Sequence, residues 1–308
     1  MPSSPLAVLG EALVDEFHDG PVAGGAPFNV ARSAAALGAP VHFVSRIGAD
    51  DANGRLVLRS AQRYGLAGAG LQRDALRATG RVSVHEDAAG GSHRFEIHAD
   101  AAWDHLDADA ARCHLAGSGA SLLYFGSLFQ RHATSRAALR AIAKPFAGLR
   151  LLDLNLRPGA TAVQAAESLM LADWLKVNDE ELAQLAGWFD ADATDDAGRV
   201  VALMARFALQ RLVLTCGALG WRFYGPGGAL LARGPGVAQP HVVDTVGAGD
   251  AFTALLLAGL SLQRDLPATL ALANRYASFI CGVRGPLPSD PLALQPWRTA
   301  LHALPAAS

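Results

Sequence analysis

Cysteine is scarce in this chain and spaced for no structural job. There are three, Cys113, Cys216 and Cys281. An odd count without CxxC spacing fits neither a disulfide framework nor a structural zinc site, and points to a reducing, cytoplasmic setting. Lysine is scarcer still: Lys144 and Lys176 stand alone among basic residues that are otherwise arginine, which reads as a compositional bias. No long run of one charge sign occurs and the net charge is −2, so neither nucleic acid nor an anionic membrane is expected as the main partner. Apolar runs, the longest near Leu255, stop short of the roughly 20 residues a bilayer span requires. The opening MPSSPLAVLGEAL has no basic n-region and no cleavage-like site, so no export signal is expected. Two glycine motifs are missing as well. Without GxxxxGK[ST] there is no P-loop lysine to hold phosphates, and without GxGxxG after the first strand a dinucleotide-binding oxidoreductase is disfavoured.

What is abundant is apolar surface: 51 % of 308 residues are hydrophobic, ample for a sizeable core. The length suits one large α/β domain with an inserted subdomain, or two domains. Short apolar runs at Leu6–Gly10, Val41–Ile47, Leu122–Phe125, Leu151–Asn155, Trp174–Asn178 and Arg211–Thr215 read as buried parallel strands. Helical patterns alternate with them. One is Ala-rich, starts at Asn29 and is closed by Gly38; another is amphipathic from Arg55 to Tyr64 and closed by Gly65; a long apolar one spans Leu266–Cys281. This alternation predicts a parallel sheet covered on both faces. Two stretches depart from it. Val82–Glu86 and His93–His98 alternate with period two around a turn at 87–91, predicting an antiparallel hairpin with one polar face and a candidate lid. Trp221–Tyr224 and Ala229–Ala232 predict a shorter hairpin. Asp100, Trp103, Asp104, His105, Asp107 and Asp109 read as a solvated helix start rather than a metal cluster. No internal repeat and no disordered linker is evident.

The chemistry concentrates in Val243–Ala258, VDTVGAGDAFTALLLA. Gly247, Ala248 and Gly249 turn the backbone into an apolar helix, whose first N–H groups lack internal partners and sit at the positive end of the dipole. That makes an anion site. A carboxylate there, Asp250, would repel an anion, but it makes sense as a base that deprotonates a group attacking a bound phosphate. A helix N-cap is the competing reading. Elsewhere, Asp15 follows the first strand, where ligands meet parallel sheets. Gly24 and Gly25 let a polar ligand touch backbone, and Asn29 offers both donor and acceptor. Arg157 is a candidate clamp for a hydroxyl or a phosphate. Asn178 and Glu181, three apart across a helix start, also carry the signature of a capping box.

Together these residues resemble the ribokinase-like, phosphofructokinase-B type family of carbohydrate kinases, from Gly10 to about Pro288. The most specific parts are Gly24-Gly25-Ala26-Pro27-Phe28-Asn29-Val30-Ala31 and Asp244-Thr245-Val246-Gly247-Ala248-Gly249-Asp250. Asp153-Leu154-Asn155-Leu156-Arg157-Pro158 and Lys176-Val177-Asn178-Asp179-Glu180-Glu181-Leu182 look like its fructokinase branch. The resemblance implies a three-layer α/β/α sandwich over 1–308, with a β-sheet lid drawn from about 11–24 and 80–104 that forms a dimer contact in many relatives. It implies ATP-dependent phosphorylation of a sugar, with fructose first and ribose, 2-keto-3-deoxygluconate or a nucleoside as rivals. A non-catalytic sugar or nucleotide sensor is the rival of another class. Asp250 becomes the base and Gly247–Gly249 the anion hole. Asp15, Gly25, Asn29 and Arg157 match sugar-contacting positions. Thr215, Gly217, Gly220 and Asn274 match positions around ATP. Asn178 and Glu181 match an NxxE motif that holds Mg²⁺ through water, and Asp244 with the Val246 backbone matches a monovalent-cation site, taking K⁺ as the candidate ion. Cys216, Arg275, Tyr276 and the 285–289 loop depart from the pattern. Phe28 and Trp103 are candidates to narrow the sugar pocket.

Overall fold

The computed structural model describes residues 3–18, 20–86, 93–190 and 193–307. Its strands are β1 Leu6–Leu9, β2 Leu13–Phe17, β3 Gly20–Gly24, β4 Val41–Gly48, β5 Leu71–Asp74, β6 Gly80–Glu86, β7 His93–Ile97, β8 Leu122–Phe125, β9 Leu149–Asp153, β10 Trp174–Asn178, β11 Arg211–Thr215, β12 Trp221–Tyr224 and β13 Leu230–Gly234. The helices are α1 Ala26–Ala36, α2 Ala52–Arg63, α3 Ala108–Ala116, α4 Ala133–Ala143, α5 Ala162–Leu169, α6 Asp179–Trp188, α7 Asp196–Phe207, α8 Ala248–Ser261, α9 Leu266–Cys281 and α10 Gln295–His302.

Nine strands form the central sheet in the order β13-β12-β11-β10-β9-β8-β1-β4-β5. From β5 to β11 all pairings are parallel, and β12 and β13 add an antiparallel edge. Apolar residues on the two faces of each strand feed two separate cores. Leu6 and Val8 face the core shared with α1, α8 and α9, while Ala7 and Leu9 face the one shared with α4 to α7. A strand buried on both faces must read as a continuous apolar run, which is why β1 is LAVL. The result is the three-layer α/β/α sandwich expected. The chain leaves β1 toward β4 and β5, then returns to place β8 on the other side of β1. Such a reversal opens a crevice at the carboxyl ends of the strands, where ligands bind in open α/β sheets.

A second sheet, in the order β3-β2-β6-β7, stands apart from the first. Its β6–β7 hairpin is antiparallel as predicted, though the turn at 87–91 lies outside the described residues. Asp15 lies on β2 of this sheet, paired with Val22 of β3, within the 11–24 segment. The 100–109 segment is corrected. Trp103 and Asp104 are buried, with Arg131 bonded to Asp104 at 2.7 Å and stacked 4.0 Å over the Trp103 ring. Among the described residues no cluster suited to a metal is found, and no helix is long and apolar enough to cross a membrane.

Candidate active site

Helix α1 begins at Ala26, three residues ahead of its Ala-rich pattern, because Pro27 is acceptable in a first turn. Gly25 precedes it at φ 102°, where a side-chain carbon would lie 2.7 Å from the Glu11 carbonyl oxygen. Asn29 therefore projects from the first turn of α1. Its Nδ2 donates to Asp250 Oδ2 at 2.8 Å. Its Oδ1 accepts from Arg32 Nη2 at 2.5 Å, which fixes the amide's orientation. Asp250 sits in the first turn of α8, only 8 % exposed. Gly247 is the N-cap at φ 81°, and no side chain caps this end. Neither Gly249 nor Asp250 gives its N–H to another described residue. The capping alternative for Asp250 thus fails, and these two donors stay open, while Ala248 N–H reaches the Thr245 carbonyl at 3.3 Å.

Burial raises the Asp250 carboxyl; Asn29 opposes the shift, Asp153 adds to it, and Arg157 and Lys176 pull against it. Glu11 is pushed from 4.5 to about 7, chiefly by burial, with Arg157 opposing. Asp15 is pushed from 3.8 to about 6 by burial, against Arg157 and Arg32. Glu11, Asp15, Arg157 and Asp250 thus share one electrostatic neighbourhood, in which Arg157 is exposed and the carboxyls are largely shielded.

Behind α8 lies a set of residues that sequence reasoning missed. Lys176 Nζ bonds both carboxylate oxygens of Asp153 at 3.1 Å, and Thr253 Oγ1 donates to the same group at 2.7 Å. Lys176 and Asp153 are 6 % and 1 % exposed. Burial acts to lower the Lys176 ammonium, but Asp153 and Glu181 outweigh it and the net shift is upward. A side-chain carbon at Gly249 would sit 3.3 Å from Lys176 Nζ, so this charge lies against the Gly247–Gly249 turn. The signal was present: one of two lysines in the chain, set inside an apolar strand. Compositional bias does not account for a lysine in that position.

Asn178 and Glu181 do form a capping box. Glu181 N–H donates to Asn178 Oδ1 at 2.7 Å, and Asn178 N–H donates to Glu181 Oε2 at 2.9 Å. Glu181 Oε1 also accepts from Leu156 N–H at 2.8 Å, tying α6 to the segment carrying Arg157. A carboxylate has about four acceptor positions, so Glu181 can still accept from water around Mg²⁺, an ion that keeps several of its waters. Asp244 bridges two loops by accepting from Val246 N–H at 2.9 Å and Gly285 N–H at 3.3 Å. Thr215 ends β11 level with Asn178. Gly217 and Gly220 shape the turn after it, and Asn274 Nδ2 donates to Pro235 O at 2.8 Å beside that turn. Tyr276 is buried and shares a 2.9 Å hydrogen bond with Ser33, so it faces α1. Phe28 and Trp103 are fully buried in the two cores rather than in a pocket wall.

The model of the pfkB family of carbohydrate kinases matches residues 9–292. The chain belongs to that family. Like other pfkB kinases it is a phosphotransferase acting on a sugar hydroxyl. It is 32 % identical over 304 residues to a fructokinase of Klebsiella pneumoniae, covering 92 % of this chain and 95 % of that one. A crystal structure of fructokinase with bound ATP from Xylella fastidiosa superposes with a TM-score of 0.81 at 25 % identity, over 96 % of this chain and 99 % of that one. Aminoimidazole riboside kinase from Salmonella enterica, complexed with aminoimidazole riboside and an ATP analog, superposes with a TM-score of 0.78 at 25 % identity, over 97 % and 100 %. In this pfkB kinase the two family-like glycine segments, remote in sequence, meet through the Asn29–Asp250 hydrogen bond.

Proposed function

We propose that this carbohydrate kinase is a cytoplasmic, ATP-dependent fructokinase, converting fructose and ATP to a fructose phosphate and ADP. The observation that carries the reading is the buried Asp250 carboxylate beside an uncapped helix start, aimed by Asn29. Asp250 takes the proton of the attacking sugar hydroxyl. The N–H groups of the Gly247-Ala248-Gly249 turn receive the charge that develops on the transferred phosphoryl group. Asp15, Gly25, Asn29 and Arg157 hold the sugar. Thr215, Gly217, Gly220 and Asn274 surround the nucleotide. Mg²⁺, held through water by Asn178 and Glu181, would neutralise phosphate charge, and Asp244 with the Val246 carbonyl would hold K⁺. The small sheet, with 11–24 and 80–104 as its segments, is a lid on a single 1–308 domain. It excludes water from the phosphoryl group and offers its outer strands to a second copy.

The fructokinase relatives favour fructose as the acceptor; the riboside kinase neighbour keeps a nucleoside as the rival. A coupled ADP-release assay over fructose, ribose, 2-keto-3-deoxygluconate and a nucleoside tests the assignment. Fructose is expected to give the highest kcat/KM. A better acceptor would replace it, and ligand binding without ADP release on any acceptor would turn the reading to a sensor.

A further inference from the structure

A cavity of about 970 Å³ opens between β3, α2 and the 283–289 loop. Arg32, Arg59, Arg63 and Arg284 line it, and Asp244 is the one acid among the described lining residues. None of the residues assigned to sugar or ATP lines it; Asp244, assigned to the monovalent cation, sits at its edge.

Arg32 makes the charge of this cavity costly. It is 4 % exposed. Nη1 donates to Ser60 Oγ at 2.6 Å, and Nη2 donates to the Ala23 carbonyl at 2.9 Å and to Asn29 Oδ1 at 2.5 Å. Every one of these acceptors is neutral. Its Nε is buried without a partner, and Arg32 forms no salt bridge among the described residues. Asp250 and Asp15 favour its charge only across space. A buried guanidinium without a bonded carboxylate carries a large desolvation cost, offset here by neutral groups: three hydrogen bonds and the rings of Phe28 and Tyr64, 4.3 Å and 5.5 Å from the guanidinium carbon. Arg59 and Arg63 compound it, being four apart on α2, a spacing at which like charges repel. Both are exposed, and among the described residues Arg63 bonds the Ser289 carbonyl, at 3.3 Å. Positive charge gathered this way in a concave site fits a dianion, since guanidinium groups pair in a fork with phosphate oxygens. The volume lies within the range of small-molecule sites and holds more than a bare phosphate.

We infer that this cavity binds the phosphate group of a small phosphorylated molecule, at a site separate from the Gly247–Gly249 turn, and that occupancy slows turnover through Arg32 and Asn29. Arg32 grips Asn29 Oδ1, and Asn29 Nδ2 grips Asp250. An anion that draws Arg32 toward the cavity loosens the amide that aims the base. This second half rests on the reading of Asp250 as the base; the binding half does not.

The binding experiment uses the full chain saturated with Mg²⁺ and a non-hydrolysable ATP analogue, so that the nucleotide phosphate positions are filled. Inorganic phosphate and a hexose phosphate are titrated by calorimetry, with chloride at matched ionic strength as the control. Saturable binding of one equivalent is expected for wild type, and at least tenfold weaker binding for the Arg59→Ala/Arg63→Ala double variant. Tighter binding of the hexose phosphate identifies a sugar ester as the source; equal affinity identifies free phosphate. Binding no stronger than chloride, or binding unchanged in the double variant, overturns the site. In the kinetic arm the anion should lower kcat in wild type and leave the double variant untouched, with the two enzymes equal when no anion is added. Binding without any change in kcat overturns the link to Asp250. Absence of ADP release on every acceptor would count against the kinase reading and leave the binding result standing.

Discussion

Helices α6 and α8 both begin beside the central crevice, and they treat their first turns in opposite ways. At α6 the exposed donors are spent internally, with Asn178 and Glu181 closing a reciprocal box. At α8 the N-cap is Gly247, with no side chain to accept from the turn. Most of the other helices follow α6: Asp51, Asp107, His132, Thr161, Asp195 and Asp265 each accept from the helix they precede. Helix α1, capped by Gly25, follows α8. Helix α10, whose N-cap is Leu294, also lacks a side-chain cap, but α1 and α8 are the uncapped starts joined by Asn29 and Asp250. Caps are worth about 1 kcal/mol each, so at α1 and α8 stability is given up where a ligand can take over the donors. Lys176 connects the two types of start. It lies two residues ahead of the α6 cap, and its ammonium rests against the first turn of α8.

The strongest test of this contrast is Asp250→Asn. It should reduce kcat by roughly 10² to 10⁴, the scale of a lost general base, while the unfolding midpoint in urea moves little. A large stability loss with near-normal turnover would make α8 a structural start like α6. Next is Lys176→Met, which strands the Asp153 carboxylate inside the protein with Thr253 as its remaining partner. A loss of about 3–5 kcal/mol in urea unfolding is expected. A loss below 1 kcal/mol would mean the two helix starts are not coupled through this pair.

The third test is a pH dependence. Glu11 keeps its proton to about 7 when folded, against 4.5 for the ordinary carboxyl. The folded state thus binds more protons between those values, and its stability falls as pH rises through them, by up to about 3 kcal/mol. Glu11→Gln should flatten urea-midpoint-versus-pH curves over that window; an unchanged slope would remove Glu11 as the source. The smallest effect belongs to Asn178→Ala, about 1 kcal/mol of stability for the lost cap. A silent variant would mean that Glu181 alone secures that turn.

Much of this was legible beforehand because buried parallel strands announce themselves as apolar runs. LAVL, LLYF and RLVLT fell where expected. The two glycine segments were legible through chemistry, since an acid within a row of free N–H groups needs a reason to be there. Other residues were hidden by their dependence on tertiary contacts. Asp15 follows β1 in sequence, and nothing local marks β2 as part of a second sheet. Trp103 and Asp104 looked solvated because the partner that buries them, Arg131, is 27 residues from Asp104. Arg32 carried no sequence signal at all: an arginine within an Ala-rich helix reads as its polar face, and only packing reveals it as interior.

Helix α8 has one further consequence, for the timing of backbone opening. From Asp250 to Gly259 every residue is buried. From Ala251 on, its amides should exchange with solvent deuterium only when the whole domain opens, among the slowest in the molecule. Its first turn is different, because donors without partners exchange freely. Asp250 therefore stands on the boundary between persistent helical backbone and N–H groups left without partners. The carboxylate inherits its fixed position from the first and its contact with ligand from the second.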